Sequence, residues 1–191
     1  MENEVVEFVK AAIKNPRDVS TVFPTSRWLA KRLLDEVPIT QNSFIVEVGA
    51  GTGAITQHLL RRLMSPQDQY LGVELNPQMV SYLKTYFPSL KFQQGPAQDL
   101  EVWLGDKKAD GIVSSLPWTI FNEQVQKETL QAIYDSLKQG GIFATYMCVN
   151  SSWYPQAKRF KNLIHEKFHR VEKTAIEWKN IPPAFVFRCT K

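Results

Sequence analysis

This 191-residue sequence predicts an α/β fold, a mostly parallel sheet with helices on both faces, and three observations carry that expectation. Short apolar runs of strand length alternate with helical stretches from residue 44 to residue 148. Such alternation builds consecutive βα units, whose strands lie parallel and are covered on both faces. A glycine-rich turn, Gly49-Ala50-Gly51-Thr52-Gly53, directly follows the first run, where a chain must leave a strand and enter a helix sharply. Finally, the length suits one substantial core and is too short for two ordinary domains. A single domain over 1–191 is expected, with residues 1–40 forming an N-terminal helical extension.

The elements follow in order. Residues 2–14 have helical periodicity: Val5, Val6, Phe8, Val9, Ala12 and Ile13 share one face, and Glu4, Glu7, Lys10 and Lys14 take the other. Such a helix either packs on the sheet or lies in a lipid interface. A Pro-containing segment, 15–24, leads to a second helix from about Ser26 to Asp35. Strands are then expected at 44–48, 70–74, 90–93, 110–114 and 142–148, and helices at 53–64, 77–86, 97–103 and 122–138. Lys138-Gln139-Gly140-Gly141 reads as a helix stopped by glycines. After a helix over 155–167, residues 171–178 and 184–190 form a final strand pair around the turn Lys179-Asn180-Ile181-Pro182-Pro183. That makes seven strands with the last antiparallel. There is no internal repeat and no low-complexity segment.

Charge and cysteine usage narrow the setting. The net charge is +4, and residues 155–191 hold nine Lys and Arg against three Glu. Lys158, Arg159, Lys161, Lys167, Arg170 and Lys173 form either a solvated helix face or a patch for the phosphates of a membrane or an RNA. No apolar run approaches the roughly 20 residues that span a bilayer. The start, Met1-Glu2-Asn3-Glu4, is unlike a secretory signal, so a cytoplasmic protein is expected. Cys148 and Cys189 fall near the ends of antiparallel strands, at opposite ends of the sheet, too far apart to bridge. Neither has metal-ligand spacing, and no metal is expected.

The candidate site begins at Phe44-Ile45-Val46-Glu47-Val48, the strand that enters the glycines. Gly49, Gly51 and Gly53 allow unusual dihedrals and a close approach of backbone to ligand. The second strand ends at Glu74, about twenty residues further on, where a carboxylate takes a ribose diol in nucleotide-binding folds. These residues alone serve a dinucleotide or S-adenosylmethionine equally well. Ile112-Val113-Ser114-Ser115-Leu116-Pro117-Trp118 is a fourth strand opening into a proline-aromatic loop.

The ordered set is similar to the class I S-adenosylmethionine-dependent methyltransferases, with their Rossmann-like fold. An acid at the position of Glu47 is typical of that superfamily and serves the methionine end of the cofactor. The resemblance implies that Glu47, Gly49, Ala50, Gly51, Thr52, Gly53, Glu74, Leu75, Pro96, Ala97 and Gln98 bind the cofactor. It also implies that Ser115, Leu116, Pro117, Trp118 and Tyr146 form the catalytic site. At the ends of the chain, Asn15-Pro16-Arg17, Pro24-Thr25-Ser26-Arg27 and Trp178-Lys179-Asn180-Ile181-Pro182-Pro183-Ala184, with Gly72-Val73-Glu74-Leu75-Asn76-Pro77, resemble the small bacterial phosphatidylethanolamine N-methyltransferases. That resemblance implies stepwise methylation of phosphatidylethanolamine towards phosphatidylcholine by a peripheral enzyme at the inner face of the membrane. Val5, Phe8 and Val9 would then meet lipid; Arg17 and Arg27 would contact the phosphate or only brace the N-terminal segment, and Phe23, Trp118 and Tyr146 would either turn their ring faces to the ammonium or pack in the core.

Two segments depart from that family's pattern. An acid commonly follows the glycine of the third strand, near the adenine; here Gly95 is followed by Pro96, so Gln98 or a backbone group takes its place, with Asp99 a weaker substitute. Trp118-Thr119-Ile120-Phe121 also differs from the family's loop, which bears on the head group accepted. An RNA adenine N6-dimethyltransferase is the closest enzymatic rival, but it has Asn where Ser115 stands, and no added C-terminal RNA-binding domain is expected here. A noncatalytic membrane-binding protein that keeps the fold is the rival from another class.

Overall fold

In the computed structural model, which describes residues 25–191, the first element is α1, Arg27–Asp35. The helix read at 2–14, together with Arg17 and Phe23, lies outside the described residues. Ser26 caps α1, its hydroxyl oxygen accepting from Leu29 N at 3.2 Å, which satisfies an amide that has no partner within the helix. Leu29, Ala30, Leu33 and Leu34 recur at helical spacing and are its buried stripe.

Seven strands form one sheet: β1 Ile45–Val48, β2 Tyr70–Glu74, β3 Phe92–Gln94, β4 Ala109–Ser114, β5 Leu137–Cys148, β6 Arg170–Lys173 and β7 Ala184–Thr190. Their order is β3-β2-β1-β4-β5-β7-β6. β1 to β5 pair in parallel, whereas β7 runs antiparallel to both β5 and β6. The helices between them are α2 Thr56–Leu60, α3 Pro66–Gln69, α4 Pro77–Tyr86, α5 Leu100–Leu104, α6 Glu123–Ser136 and α7 Pro155–Lys167. Alternate strand residues feed two cores. Val46, Val48, Ile112 and Phe143 pack with Leu130 and Ile133 of α6 and Phe160 and Ile164 of α7. Ile45, Val113, Ala144 and Val186 pack with α1 and with Leu59 and Leu83. Strands buried on both faces are what a parallel sheet requires, and the expected α/β fold with an antiparallel last strand is the fold observed.

Four local expectations are corrected. The helix read at 53–64 is only Thr56–Leu60, because the chain turns through 51–55 before it coils, and the four-residue α3 was not anticipated. The helix read to residue 138 ends at Ser136. Leu137 already pairs with Ala109, and the register shifts before Ile142 meets Gly111. Gly140 has φ +74°, and a Cβ on Gly141 would lie 2.9 Å from Lys138 O. Both glycines therefore serve an irregular entry into β5 and do not cap a helix. The strand read at 171–178 stops at Lys173, and only Glu177 rejoins, bridging Ala184.

The cysteines stand as expected. Cys148 is opposite Ala184 and Cys189 opposite Phe143, roughly 17 Å apart along the strands, and both thiols are free. Burial pushes the Cys189 thiol up to about 12. Among the described residues no helix is long and apolar enough to cross a membrane.

Candidate active site

The chain builds outward from β1 to β3 on one side of the sheet and then continues from β4 on the other. Loops leaving the carboxyl ends of β1 and β4 part at that reversal and open a crevice, the usual ligand position of such sheets. The β1 loop is stitched to β2 by Gly49 N and Ala50 N, which donate to Val73 O at 2.8 and 3.3 Å. Its three glycines have φ of +79°, +55° and +82°, and each is needed for a different reason. A Cβ on Gly53 would sit 2.5 Å from the Phe87 ring, and one on Gly49 would sit 3.1 Å from Leu116. At Gly51 the nearest atom is Gly49 O at 3.9 Å, so that position faces open space.

Glu74 closes the crevice from β2. Its Oε2 accepts from Gly51 N at 2.8 Å and its Oε1 from Asn76 N at 2.9 Å. One amide per oxygen fixes the carboxylate and leaves each oxygen a further acceptor site. Leu75 is half-buried beside it, and Thr52 is exposed. The turn after β3 lies alongside, Gly95 N donating to Glu74 O at 3.0 Å. Pro96 O accepts from Asp99 N at 3.1 Å, Ala97 is buried, and Gln98 is half-buried, lining a groove with Glu101 of α5 and Lys127 and Gln131 of α6.

Glu47 lies beneath the loop, fully buried. Its Oε2 accepts from Thr56 Oγ1 at 2.9 Å and from Tyr70 OH at 2.7 Å, while Oε1 has no partner. Burial outweighs those two hydrogen bonds and pushes the carboxyl up to about 7, with the charge of Glu74 adding to the shift. Burial and the Glu47 charge likewise push the Tyr70 phenol up.

The β4 loop meets the glycines. Ser115 donates through Oγ to Gly49 O in a short hydrogen bond, and Ser115 N donates to Val48 O at 3.2 Å. Leu116 N donates to Ser114 Oγ at 3.2 Å and Trp118 N to Leu116 O at 2.9 Å, which folds Leu116 and the half-buried Pro117 into a tight turn. The structure places Trp118 away from the crevice, contrary to its expected ring contact with an ammonium. Its ring stacks on Phe160 with centroids 4.3 Å apart, meets Phe121 and Phe143 edge-on, and donates through Nε1 to Thr145 Oγ1 at 3.0 Å. Trp118 therefore anchors the loop from the core. Tyr146, half-buried near the end of β5, shares a 3.1 Å hydrogen bond with Thr25 Oγ1, and burial pushes its phenol up.

Two residues near the site were missed. Gln126 is buried on α6; its Nε2 donates to Trp118 O at 2.6 Å and to Gln156 O at 3.0 Å, and its Oε1 accepts from Arg159 Nε at 2.9 Å. Arg159 also donates to Phe121 O at 3.2 Å, so part of the expected basic patch braces the β4 loop. A glutamine within the apolar stripe Val125, Leu130, Ile133 of a helix was the available signal. Arg27 is exposed at the start of α1, its guanidinium 4.7 Å from the Trp28 ring centre. Among the described residues no group of His, Cys, Asp and Glu is placed to hold a metal.

A family model described as a methyltransferase domain matches residues 45–141, just over half the chain. The chain belongs to this methyltransferase domain family. It is a class I, S-adenosylmethionine-dependent methyltransferase. An ornithine lipid N-methyltransferase of Singulisphaera acidiphila is 26% identical over 188 residues, covering 95% of this chain and 93% of that protein. The ribosomal RNA small subunit methyltransferase A of Mycoplasma mycoides is 31% identical over 109 residues, which cover 54% of this methyltransferase and 39% of that protein. In fold, the chain is similar to a TehB-like methyltransferase of Corynebacterium glutamicum (TM-score 0.62, 20% identity, 100% and 97% of the two chains). It is also similar to Aeropyrum pernix fibrillarin with S-adenosylmethionine bound (TM-score 0.63, 16% identity, 84% and 73%). The crevice of this methyltransferase fits that cofactor: Gly51 leaves a cradle that a Cβ would fill, and Glu74 holds fixed acceptors beside it.

Proposed function

We propose that this methyltransferase places methyl groups stepwise on the primary amine of a membrane-lipid head group, with phosphatidylethanolamine, on the way to phosphatidylcholine, as the first candidate. The observation that carries the reading is the likeness to an ornithine lipid N-methyltransferase over 95% of the chain, because it extends past the cofactor half into both ends. Ornithine lipid and phosphatidylethanolamine both offer a primary amine. The match to a ribosomal RNA methyltransferase covers about half the chain, and Ser115 stands where an adenine-methylating loop carries the carboxamide.

The cofactor supplies an activated methyl on a sulfonium. In our reading the backbone from Gly49 to Gly53 cradles it, Glu74 takes the ribose hydroxyls, and Leu75, Ala97 and Gln98 border the adenine. Glu47 holds the loop from below through Thr56 and Tyr70. An amine attacks only when neutral, and a free alkylammonium loses its proton near pH 10.4, as lysine does; desolvation against Leu116 and Pro117 lowers that value. Ser115 spends its hydroxyl proton on Gly49 O, so its oxygen lone pairs are left to accept from the N–H of the primary and then the monomethylated amine and hold nitrogen in line for displacement in the first two transfers. Tyr146 offers a ring face to the product ammonium. Outside the described residues, Val5, Phe8 and Val9 would lie in lipid at the inner face of the membrane, with Arg17 and Phe23 towards the head group; Arg27, exposed at the start of α1, would reach the phosphate from there.

The test is label transfer from methyl-labelled S-adenosylmethionine to vesicles carrying phosphatidylethanolamine or ornithine lipid, with ribosomal RNA as a third acceptor. Label in the lipid extract, lost in Glu74→Ala, is the expected result. Label only in RNA, or in none of the three, overturns the proposal.

A further inference from the structure

We propose that the connectors 149–154 and 178–183 form a docking rim for an anionic lipid bilayer, seating the carboxyl end of the sheet against the head groups. This rests on the lipid reading above and names the surface that serves it.

The segment Trp178-Lys179-Asn180-Ile181-Pro182-Pro183-Ala184 separates into two kinds of residue. Asn180 is buried; its Oδ1 accepts from Ser26 N at 3.0 Å and its Nδ2 donates to Pro182 O at 2.7 Å, which pins the connector to the start of α1. Ala184 is buried where β7 begins. Trp178 and Ile181, by contrast, are 71% and 74% exposed, so nothing in the core requires them. The connector 149–154 adjoins, Val149 N donating to Pro183 O at 2.8 Å, and it exposes Trp153 (76%) and Tyr154. Since Cys148 and Ala184 are opposite one another, both connectors leave the sheet at one end. It is the end at which the β1 and β4 loops open the crevice.

Scattered exposed apolar residues are ordinary on a protein surface. Here Trp153, Tyr154, Trp178 and Ile181, with the partly exposed Trp28 of α1, gather at one end, and Lys179 lies 4.2 Å from the Trp28 ring centre. Trp and Tyr rings settle at the head-group level of bilayers, one edge apolar and the other wet. Charge selects the surface further. The connectors and the start of α7, residues 149–165 and 178–183, contain no Asp or Glu but include Lys158, Lys161 and Lys179; Lys161 donates to Ser152 O at 3.0 Å, and the neighbouring Glu177 is paired with Arg32 at 3.1 Å. An aromatic and aliphatic rim backed by cations complements anionic lipid.

The experiment is cosedimentation of the full chain with phosphatidylglycerol-containing and pure phosphatidylcholine vesicles, using wild type, Trp178→Ser with Ile181→Ser, and Trp153→Ser with Tyr154→Ser. Each double variant is expected to lose vesicle affinity by about tenfold or more while its S-adenosylmethionine affinity stays at the wild-type value, which shows the fold intact. Lys179→Gln weakens binding at low salt and much less at high salt. A wild type that ignores anionic vesicles, or double variants that bind like wild type because the rim is covered by residues 1–24 or by a protein, overturns the proposal. A parallel assay on a short-chain amine lipid presented as monomers separates the two readings. Unchanged turnover in the rim variants supports docking as a separate function; absence of turnover in wild type sinks the lipid-acceptor reading while sedimentation still decides the rim.

Discussion

Gly51 and Gly53 are two residues apart on one loop, yet the structure predicts opposite consequences for an added methyl group. Both have left-handed backbone, at φ +55° and +82°, which costs an L-residue about 1–2 kcal/mol. At Gly51 nothing further is added, because the Cβ meets no atom closer than 3.9 Å. At Gly53 the Cβ would sit 2.5 Å from Phe87 Cε2 and 3.3 Å from Leu83 Cδ2, so the ring must move in a packed core, at about 1–3 kcal/mol more. Gly51→Ala should therefore lose only about 1–2 kcal/mol of stability in urea unfolding but at least about tenfold in calorimetric S-adenosylmethionine affinity, since its methyl fills the cradle. Gly53→Ala should lose roughly 2–5 kcal/mol of stability, the larger structural defect of the two. Wild-type cofactor affinity in Gly51→Ala, or equal stability losses in both variants, would refute the assignment of separate roles.

Other perturbations test the parts around that loop. Glu47 has its carboxyl raised from 4.5 to about 7 by burial, so between those values the folded protein binds more protons than the unfolded chain. Stability of the cofactor-free protein should accordingly fall by about 3 kcal/mol as pH rises through that window and level off above it; urea titrations of Glu47→Gln should lack this slope. Trp118→Ala removes a buried ring stacked on Phe160 and should cost about 3–5 kcal/mol, whereas Trp118→Phe keeps the packing and loses mainly the Thr145 hydrogen bond, about 1 kcal/mol. Thermal melts distinguish the two. Asn180→Ala leaves Ser26 N and Pro182 O without their partner and should cost about 1–3 kcal/mol, with faster hydrogen exchange confined to the start of α1 and the 178–183 connector.

The parallel sheet was legible because strand-length apolar runs alternate with helical stretches, and α4 and α7 agree with their sequence limits to the residue. Each begins with a proline in its first turn, and α4 also has Asn76 accepting from Gln78 N at 2.9 Å. The cofactor loop was legible for a related reason, since positive φ and close approach leave few residue types but glycine. Gly140 and Gly141 misled because a helix stop and an irregular strand both call for glycine, and only the pairing of Leu137 with Ala109 decides between them. Trp118 misled because a loop aromatic beside a site reads the same whether it faces solvent or the core; the partners that draw it inward, Thr145 and Phe160, are 27 and 42 residues away in sequence. The bracing by Gln126 and Arg159 depends on α6 and α7 meeting, which local pattern does not encode.

The most direct test of the central claim is the site of methyl attachment. Wild-type protein, S-adenosylmethionine with an isotopically labelled methyl carbon, and vesicles of phosphatidylethanolamine or ornithine lipid with an isotopically labelled amine nitrogen would be incubated and the lipid examined by nuclear magnetic resonance. Direct carbon–nitrogen coupling in one lipid, absent with Gly51→Ala, is the predicted result. A labelled methyl found on oxygen, or only on an added ribosomal RNA, would contradict the account.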